Sequence, residues 1–199
     1  MSNHYYSNRP DVESKPSSIS HTGRGHQFTL ETDRGVFSKS GVDFGSRVLM
    51  EAFQAPQIEG DFADVGCGYG PIGLTLAKDF PNRIVHMVDV NERAVELAGK
   101  NASRNGIQNV RIAVSDGMER VPDQLAAVIT NPPIRAGKET IFRFYQQAYD
   151  RLVSGGELWV VIQKKQGAPS TKDFLEELFN EVEVVEKVKG YWILNAKKY

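Results

Sequence analysis

The stretch DVGCGYGPIG, residues 64–73, constrains this chain more than any other. Its glycines Gly66, Gly68, Gly70 and Gly73 follow an apolar run at 62–65 and precede a segment with helical spacing at 72–80. Glycines between a strand and a helix let the backbone turn tightly and approach a ligand without side chains intervening. The rest of the chain repeats the alternation. Strands are expected at 84–89, 110–114, 125–130 and 158–163, and helices at 92–105, 139–153 and 171–180, with Gly106 as a C-terminal stop. Residues 182–187 and 191–196, joined through Lys189 and Gly190, read as a closing hairpin. Upstream, 45–54 has helical spacing, and 26–32 reads as a short strand with 35–38 as its hairpin partner. Residues 1–26 read as an irregular arm, anchored by Tyr5 and Tyr6. Short apolar strands alternating with helices imply an α/β, Rossmann-like doubly wound fold, with a mostly parallel sheet and a C-terminal antiparallel hairpin. The organisation expected is an arm with a short strand at 1–34 and one domain at 35–199.

Composition excludes more than it selects. The chain is 40% hydrophobic and 25% charged, enough for an ordinary core. A net charge of -1 does not mark a nucleic-acid binder, so any RNA contact must come from local basic patches. The single cysteine, Cys67, rules out an intrachain disulfide or zinc cluster and reads as a structural thiol in a reducing compartment. With no leader-like start and no apolar run near ~18 residues, a soluble, cytoplasmic protein with no membrane partner is expected. His4, His21, His26 and His86 show no metal-ligand spacing, so no metal is expected. His86 reads as a strand residue packed under a helix, and Trp159 and Trp192 as residues of core strands.

The loop leaves two cofactors open. Gly68, Gly70 and Gly73 satisfy the dinucleotide fingerprint, and Asp89 stands about 20 residues beyond, where a ribose-binding acid belongs. Asp64, at the tip of the first strand, tilts the choice: a carboxylate there repels a pyrophosphate and suits the ammonium and sulfonium of S-adenosylmethionine. Asp116, after the third strand, can accept from an adenine amino group. Three acids at neighbouring strand ends are expected to crowd the crevice where such sheets bind ligands.

Asn131, Pro132, Pro133 and Ile134 follow the fourth strand at the same sheet edge. Two prolines stiffen the turn and remove two amide donors, so its carbonyls and the Asn131 side-chain oxygen can act as acceptors. A primary amine held by both N–H bonds aims its lone pair at a methyl donor, and its growing positive charge is stabilised. Arg135 and Lys138, with Lys164 and Lys165 after the fifth strand, would frame that pocket with charge for RNA phosphates. Arg9, Lys15 and Arg24 of the arm are a second, weaker set.

Together these residues resemble class I S-adenosylmethionine-dependent methyltransferases with an Asn-Pro-Pro-aromatic motif. More narrowly, they resemble the small-subunit ribosomal RNA guanine-N2 methyltransferase family. The resemblance covers most of the chain, including GVFSKSGVDFGS at 35–46. It implies a seven-stranded sheet, methionine-end contacts from the loop and from Phe37 and Asp43, and ribose hydroxyls on Asp89 beside Val90. It further implies adenine near Asp116 and Gly117, the target amine on Asn131, and ribosomal RNA or the small subunit as partner; a homodimer is compatible with it. Two departures matter. Ile134 stands where the family has an aromatic, whose stacking on a base is worth about 1–3 kcal/mol. The best-known members also carry a second, degenerate domain copy, so a single copy must build its RNA site differently or share it with another subunit. Three other readings stay open: a protein-glutamine or DNA-adenine methyltransferase, a non-catalytic RNA-binding or assembly module, and a nicotinamide-dependent oxidoreductase. Asp64 and the lack of a proton relay after the fourth strand disfavour the last.

Overall fold

A computed structural model describes residues 9–38 and 40–199. The chain runs β1 (Ser17–Gly23), β2 (His26–Thr32), α1 (Phe44–Ala52), β3 (Asp61–Val65), α2 (Pro71–Asp79), β4 (Val85–Asp89) and α3 (Glu92–Arg104). It continues with β5 (Val110–Val114), β6 (Leu125–Thr130), α4 (Lys138–Arg151), β7 (Leu152–Gln163), α5 (Ala168–Leu178), β8 (Glu181–Val188) and β9 (Tyr191–Lys197). Seven strands form one sheet in the order β5-β4-β3-β6-β7-β9-β8. From β5 to β7 all pairings are parallel, and β9 inserts antiparallel between β7 and β8. The doubly wound sheet with its antiparallel hairpin is the expected fold.

Burial on both faces explains the apolar strands. All six residues of β6 are buried, and alternate side chains join different cores: Ile129 the one under α1, α2 and α3, and Val128 the one under α4 and α5. On the first face Phe53, at the C-terminal cap of α1, meets Phe62 and Trp159 edge-on, at 5.5 Å in each case. On the second, Phe142 stacks on Phe174 at 4.2 Å, tying α4 to α5. Each such pair adds roughly 0.5–1.5 kcal/mol beyond burial.

Some local expectations need correction. Residues 17–23 are not irregular: β1 pairs with β2 throughout, and 35–38 form a turn instead of a strand. The Ser-rich run hid a strand because this two-stranded sheet stands outside the main one and buries only His21 and Gly23 of β1. The arm ahead of it is docked: Ser14 Oγ and the Lys15 amide both donate to the Asp33 carboxylate at 2.5 Å, and Arg93 Nη2 donates to the Val12 carbonyl at 2.8 Å. Tyr5 and Tyr6 lie outside the described residues. β7 starts at Leu152, directly after α4, and spends Gly155, with φ 84°, in a bulge where a longer helix and loop were expected. His86 pairs with Asp61 on the neighbouring strand at 2.8 Å. Trp159 is buried and Trp192 half-buried.

Candidate active site

The sheet order reverses around β3 and β6, and the loops leaving β3, β4, β5 and β6 open there onto a cavity of about 440 Å3. That is within the ~300–1,000 Å3 of small-molecule sites and lies where open α/β sheets bind ligands. The glycine loop forms one wall. Gly66 and Gly68 have φ of 74° and 57°, a conformation side chains resist. A Cβ on Gly66 would head towards Pro133, 3.8 Å away, and one on Gly68 would meet nothing, so bare backbone keeps the groove open. Gly70 caps α2, whose first residue is Pro71.

The three acids do not converge. Asp89 lines the cavity, with Oδ2 accepting from the Gly68 amide and Oδ1 from the Asn91 amide, both at 2.9 Å. Val90 and Gly117 line it too. Asp64 lies beneath the loop, buried, accepting from the Gly73 amide at 2.8 Å. It faces α2 because alternation along β3 turns its neighbours Ala63 and Val65 to the other side. Asp116 is exposed beyond β5, holding Arg143 Nη2 at 2.7 Å, while its neighbours Ser115 and Gly117 line the cavity. The reading of Asp64 and Asp116 as direct ligand contacts is therefore revised: Asp64 braces the loop, and Asp116 pins α4.

Burial pushes the Asp89 pKa up to about 6 against the lowering pull of the backbone amides. Asp64 is pushed up to about 7, first by burial and further by the charge on Asp89, against the Gly73 amide. A carboxyl whose pKa is higher folded than unfolded makes the folded state bind more protons, so its contribution falls as pH rises between the two values. Asp64→Asn, which keeps an acceptor for Gly73, should gain stability relative to the parent as pH is raised from 4 to 7. Urea midpoints measured across that range check it; a constant difference between the two proteins counts against it.

Asn131 leaves β6 directly into this space. Its Nδ2 donates to Asp43 Oδ2 at 3.2 Å and to Ser46 Oγ at 3.0 Å. An ionised carboxylate only accepts, so Asp43 fixes which end of the amide faces α1 and leaves Oδ1 as the acceptor. Asp43 also caps α1, accepting from the Ser46 amide at 3.1 Å. Thr130 Oγ1 anchors the strand end on the Val65 carbonyl. Pro132, Pro133 and Ile134 line the cavity, but the Pro133 carbonyl is taken by the Ala136 amide at 2.8 Å, so it is not a free acceptor. Val36, Phe37, Ser38 and Asp43 close the far side. Asn91 Nδ2 donates to the Gly35 carbonyl and Tyr69 Oη to the Ser38 carbonyl, which brings Phe37, 52% exposed, to the rim.

Sequence reasoning missed Gln163 and Tyr191, which also line the cavity; only the pairing of β7 with β9 reveals them. It also missed two cations. Lys189 Nζ and the Arg47 guanidinium sit 4.9 and 5.8 Å from the Phe44 ring. The Lys164 amide donates to the Gly190 carbonyl at 2.8 Å, so Lys164 and Lys165, both exposed, stand beside Lys189. Arg135 lines the rim and Lys138 lies over Phe142. Arg24 is committed elsewhere, to Asp79 and to the carbonyls ending α1. Cys67 is buried with its pKa raised well above normal, first by burial, so it remains a thiol. Among the described residues no three His, Cys, Asp or Glu side chains group to hold a metal, and no helix is long and apolar enough to cross a membrane.

The chain belongs to the methyltransferase small domain family, whose model matches residues 27–195. Within that family it is 55% identical to YbxB of Bacillus subtilis over the full length of both chains. It is 29% identical to ribosomal RNA small subunit methyltransferase C of Vibrio cholerae, over 94% of this chain and 55% of that one. The structure resembles T. thermophilus 16S rRNA N2 G1207 methyltransferase, solved with AdoMet and guanosine, with a TM-score of 0.83 and 27% identity over 96% of this chain and 52% of that one. The chain thus spans about half the length of the ribosomal RNA methyltransferases it matches.

Proposed function

We propose that this cavity binds S-adenosylmethionine and that the protein methylates an exocyclic amino nitrogen, guanine N2 of small-subunit ribosomal RNA. The observation that carries this reading is the Asn131 amide, whose NH2 group is held by Asp43 and Ser46 so that Oδ1 is the acceptor. The residues fit the cofactor. The bare backbone at Gly66 and Gly68 accommodates the amino-acid end, and the Asp89 carboxylate suits a ribose diol. Val90 and Gly117 are small enough to flank an adenine. When bound, S-adenosylmethionine supplies an electrophilic methyl carbon on its sulfonium.

Asn131 Oδ1 accepts a hydrogen bond from one amine N–H, and Pro132 in the same wall offers its carbonyl to the other. Both stay in place as the nitrogen becomes positive, so they stabilise the transition state more than the ground state. No strong base is needed beforehand, since the proton becomes acidic only as the N–C bond forms. A ribosomal substrate places the work in the cytoplasm. Tritium transfer offered to small-subunit RNA, assembled subunits, DNA and glutamine peptides tests the assignment. Label in guanine N2 supports it; label in adenine or glutamine instead overturns it.

The basic rim then serves RNA phosphates. Replacing Lys164 and Lys165 by glutamate should weaken RNA binding by about tenfold or more at low salt and reduce its salt dependence, while S-adenosylhomocysteine affinity stays within twofold. Filter binding against salt, with calorimetry for the cofactor, checks it; parallel loss of both ligands defeats it.

A further inference from the structure

We propose that Tyr191 supplies the flat surface for the target base that position 134 lacks, with Gln163 as the residue that positions it. The proposal rests on the base-methylation reading above and names how that base is held.

Ile134 and Tyr191 approach the cavity from opposite sides. Ile134 packs against the core under α4 and α5, and Tyr191 against the core under α1, α2 and α3. Tyr191 stands at the acceptor end. Ser46, which holds Asn131 at 3.0 Å, follows Gly45 in α1, and a Cβ on Gly45 would lie only 2.7 Å from Tyr191 Cε1. The helix therefore carries glycine where the ring leans on it. Gln163 Nε2 donates to Tyr191 Oη at 2.7 Å across the β7–β9 pair, which fixes the far end of the ring. Gln163 Oε1 is buried with no partner among the described residues, an arrangement a closed structural pair would not need. Of the other aromatics lining the cavity, Tyr69 and Phe144 are buried, and Phe37 belongs to the segment tied to Tyr69 and the glycine loop, at the cofactor end. Behind Tyr191 lies Phe44, 5.7 Å away between rings, with Lys189 and Arg47 over it. An aromatic backed by cations is how proteins hold an unstacked base and its phosphate.

The test is nucleoside binding to the full chain saturated with S-adenosylhomocysteine, using guanosine, adenosine and cytidine, read by calorimetry and by ring-current shifts of the base protons. Tyr191→Leu should weaken guanosine roughly tenfold or more and abolish its upfield shift; Tyr191→Phe should keep the shift and lose only a few-fold in affinity, the same loss as Gln163→Leu, because both remove the bond that fixes the ring; and Phe37→Leu, with S-adenosylhomocysteine saturating, should leave the guanosine shift in place. Gln163→Leu should raise KM for RNA with little change in kcat. An unchanged thermal midpoint shows that each variant folds, and the Tyr191 and Gln163 variants should also keep the parent's S-adenosylhomocysteine affinity. Guanosine bound normally by Tyr191→Leu, with the shift intact or lost instead in Phe37→Leu, overturns the assignment to Tyr191 alone. A parent protein that shifts adenosine or cytidine and not guanosine overturns the guanine reading, while the same dependence on Tyr191 would still uphold the platform. A parent that binds none of the three overturns both.

Discussion

Replacing Asn131 by alanine should leave a protein that folds and binds S-adenosylhomocysteine like the parent but transfers methyl groups about 10²–10³-fold more slowly. The size follows from what is removed. On the amine-methylation reading proposed above, Oδ1 would be a preorganised acceptor whose partner gains positive charge as the reaction proceeds, so its loss would fall on the transition state and appear in kcat. The hydrogen bonds of the Asn131 side chain run to Asp43 and Ser46 at the start of α1, whereas Asp89 is held by the amides of Gly68 and Asn91. Cofactor affinity is accordingly the control. Single-turnover rates with saturating RNA, beside calorimetry for the cofactor, decide it. A variant that loses cofactor binding and transfer together would show that Asn131 supports the cofactor and not the amine.

Asp89→Ala should have the opposite signature, with cofactor affinity falling by two orders of magnitude or more. The carboxylate would accept from a ribose diol, and each hydrogen bond to a charged group is worth about 1.5–3 kcal/mol. It also accepts from the amides of Gly68 and Asn91, so the variant strands two donors and loosens the loop that borders the cavity. Asp89→Asn should retain part of the affinity and lose its pH dependence. In the parent, affinity should decline as pH drops through about 6, where the carboxyl takes up a proton and loses an acceptor. Calorimetric titrations between pH 5 and 8 test both variants; an affinity untouched by Asp89→Ala would remove the ribose assignment.

The fold was legible because period and punctuation agree along most of the chain. The apolar runs in β3, β4, β6 and β7 are too short for helices; β3 runs into Gly66, β4 ends on Asp89, and β6 runs into Asn131 and Pro132 at the sheet edge. Asn131 and Asp89 were legible for the same reason: each ends a strand, and strand ends share one edge of a parallel sheet. What failed was side-chain direction. Asp64 and Asp116 also stand at strand ends, yet one turns under the loop and the other out to Arg143. Position along the chain fixes a strand end but not which way it points. β1 was missed because a ribbon with one face against α2 and α3 needs little apolar patterning. Gln163, Tyr191, Arg47 and Lys189 carry no local signal; a crossover pairing brings the first two to the cavity, and Arg47 and Lys189 gather on Phe44 behind Tyr191.

The placement of β9 between β7 and β8 has a consequence for synthesis. Gly66 to Gly117 leave the ribosome well before Tyr191, and the sheet can take in the strand bearing that ring only after β8 has emerged. On the proposed reading, a growing chain would present its glycine-loop wall and Asn131 first, and would gain the Tyr191 side of the cavity only once the hairpin has been made.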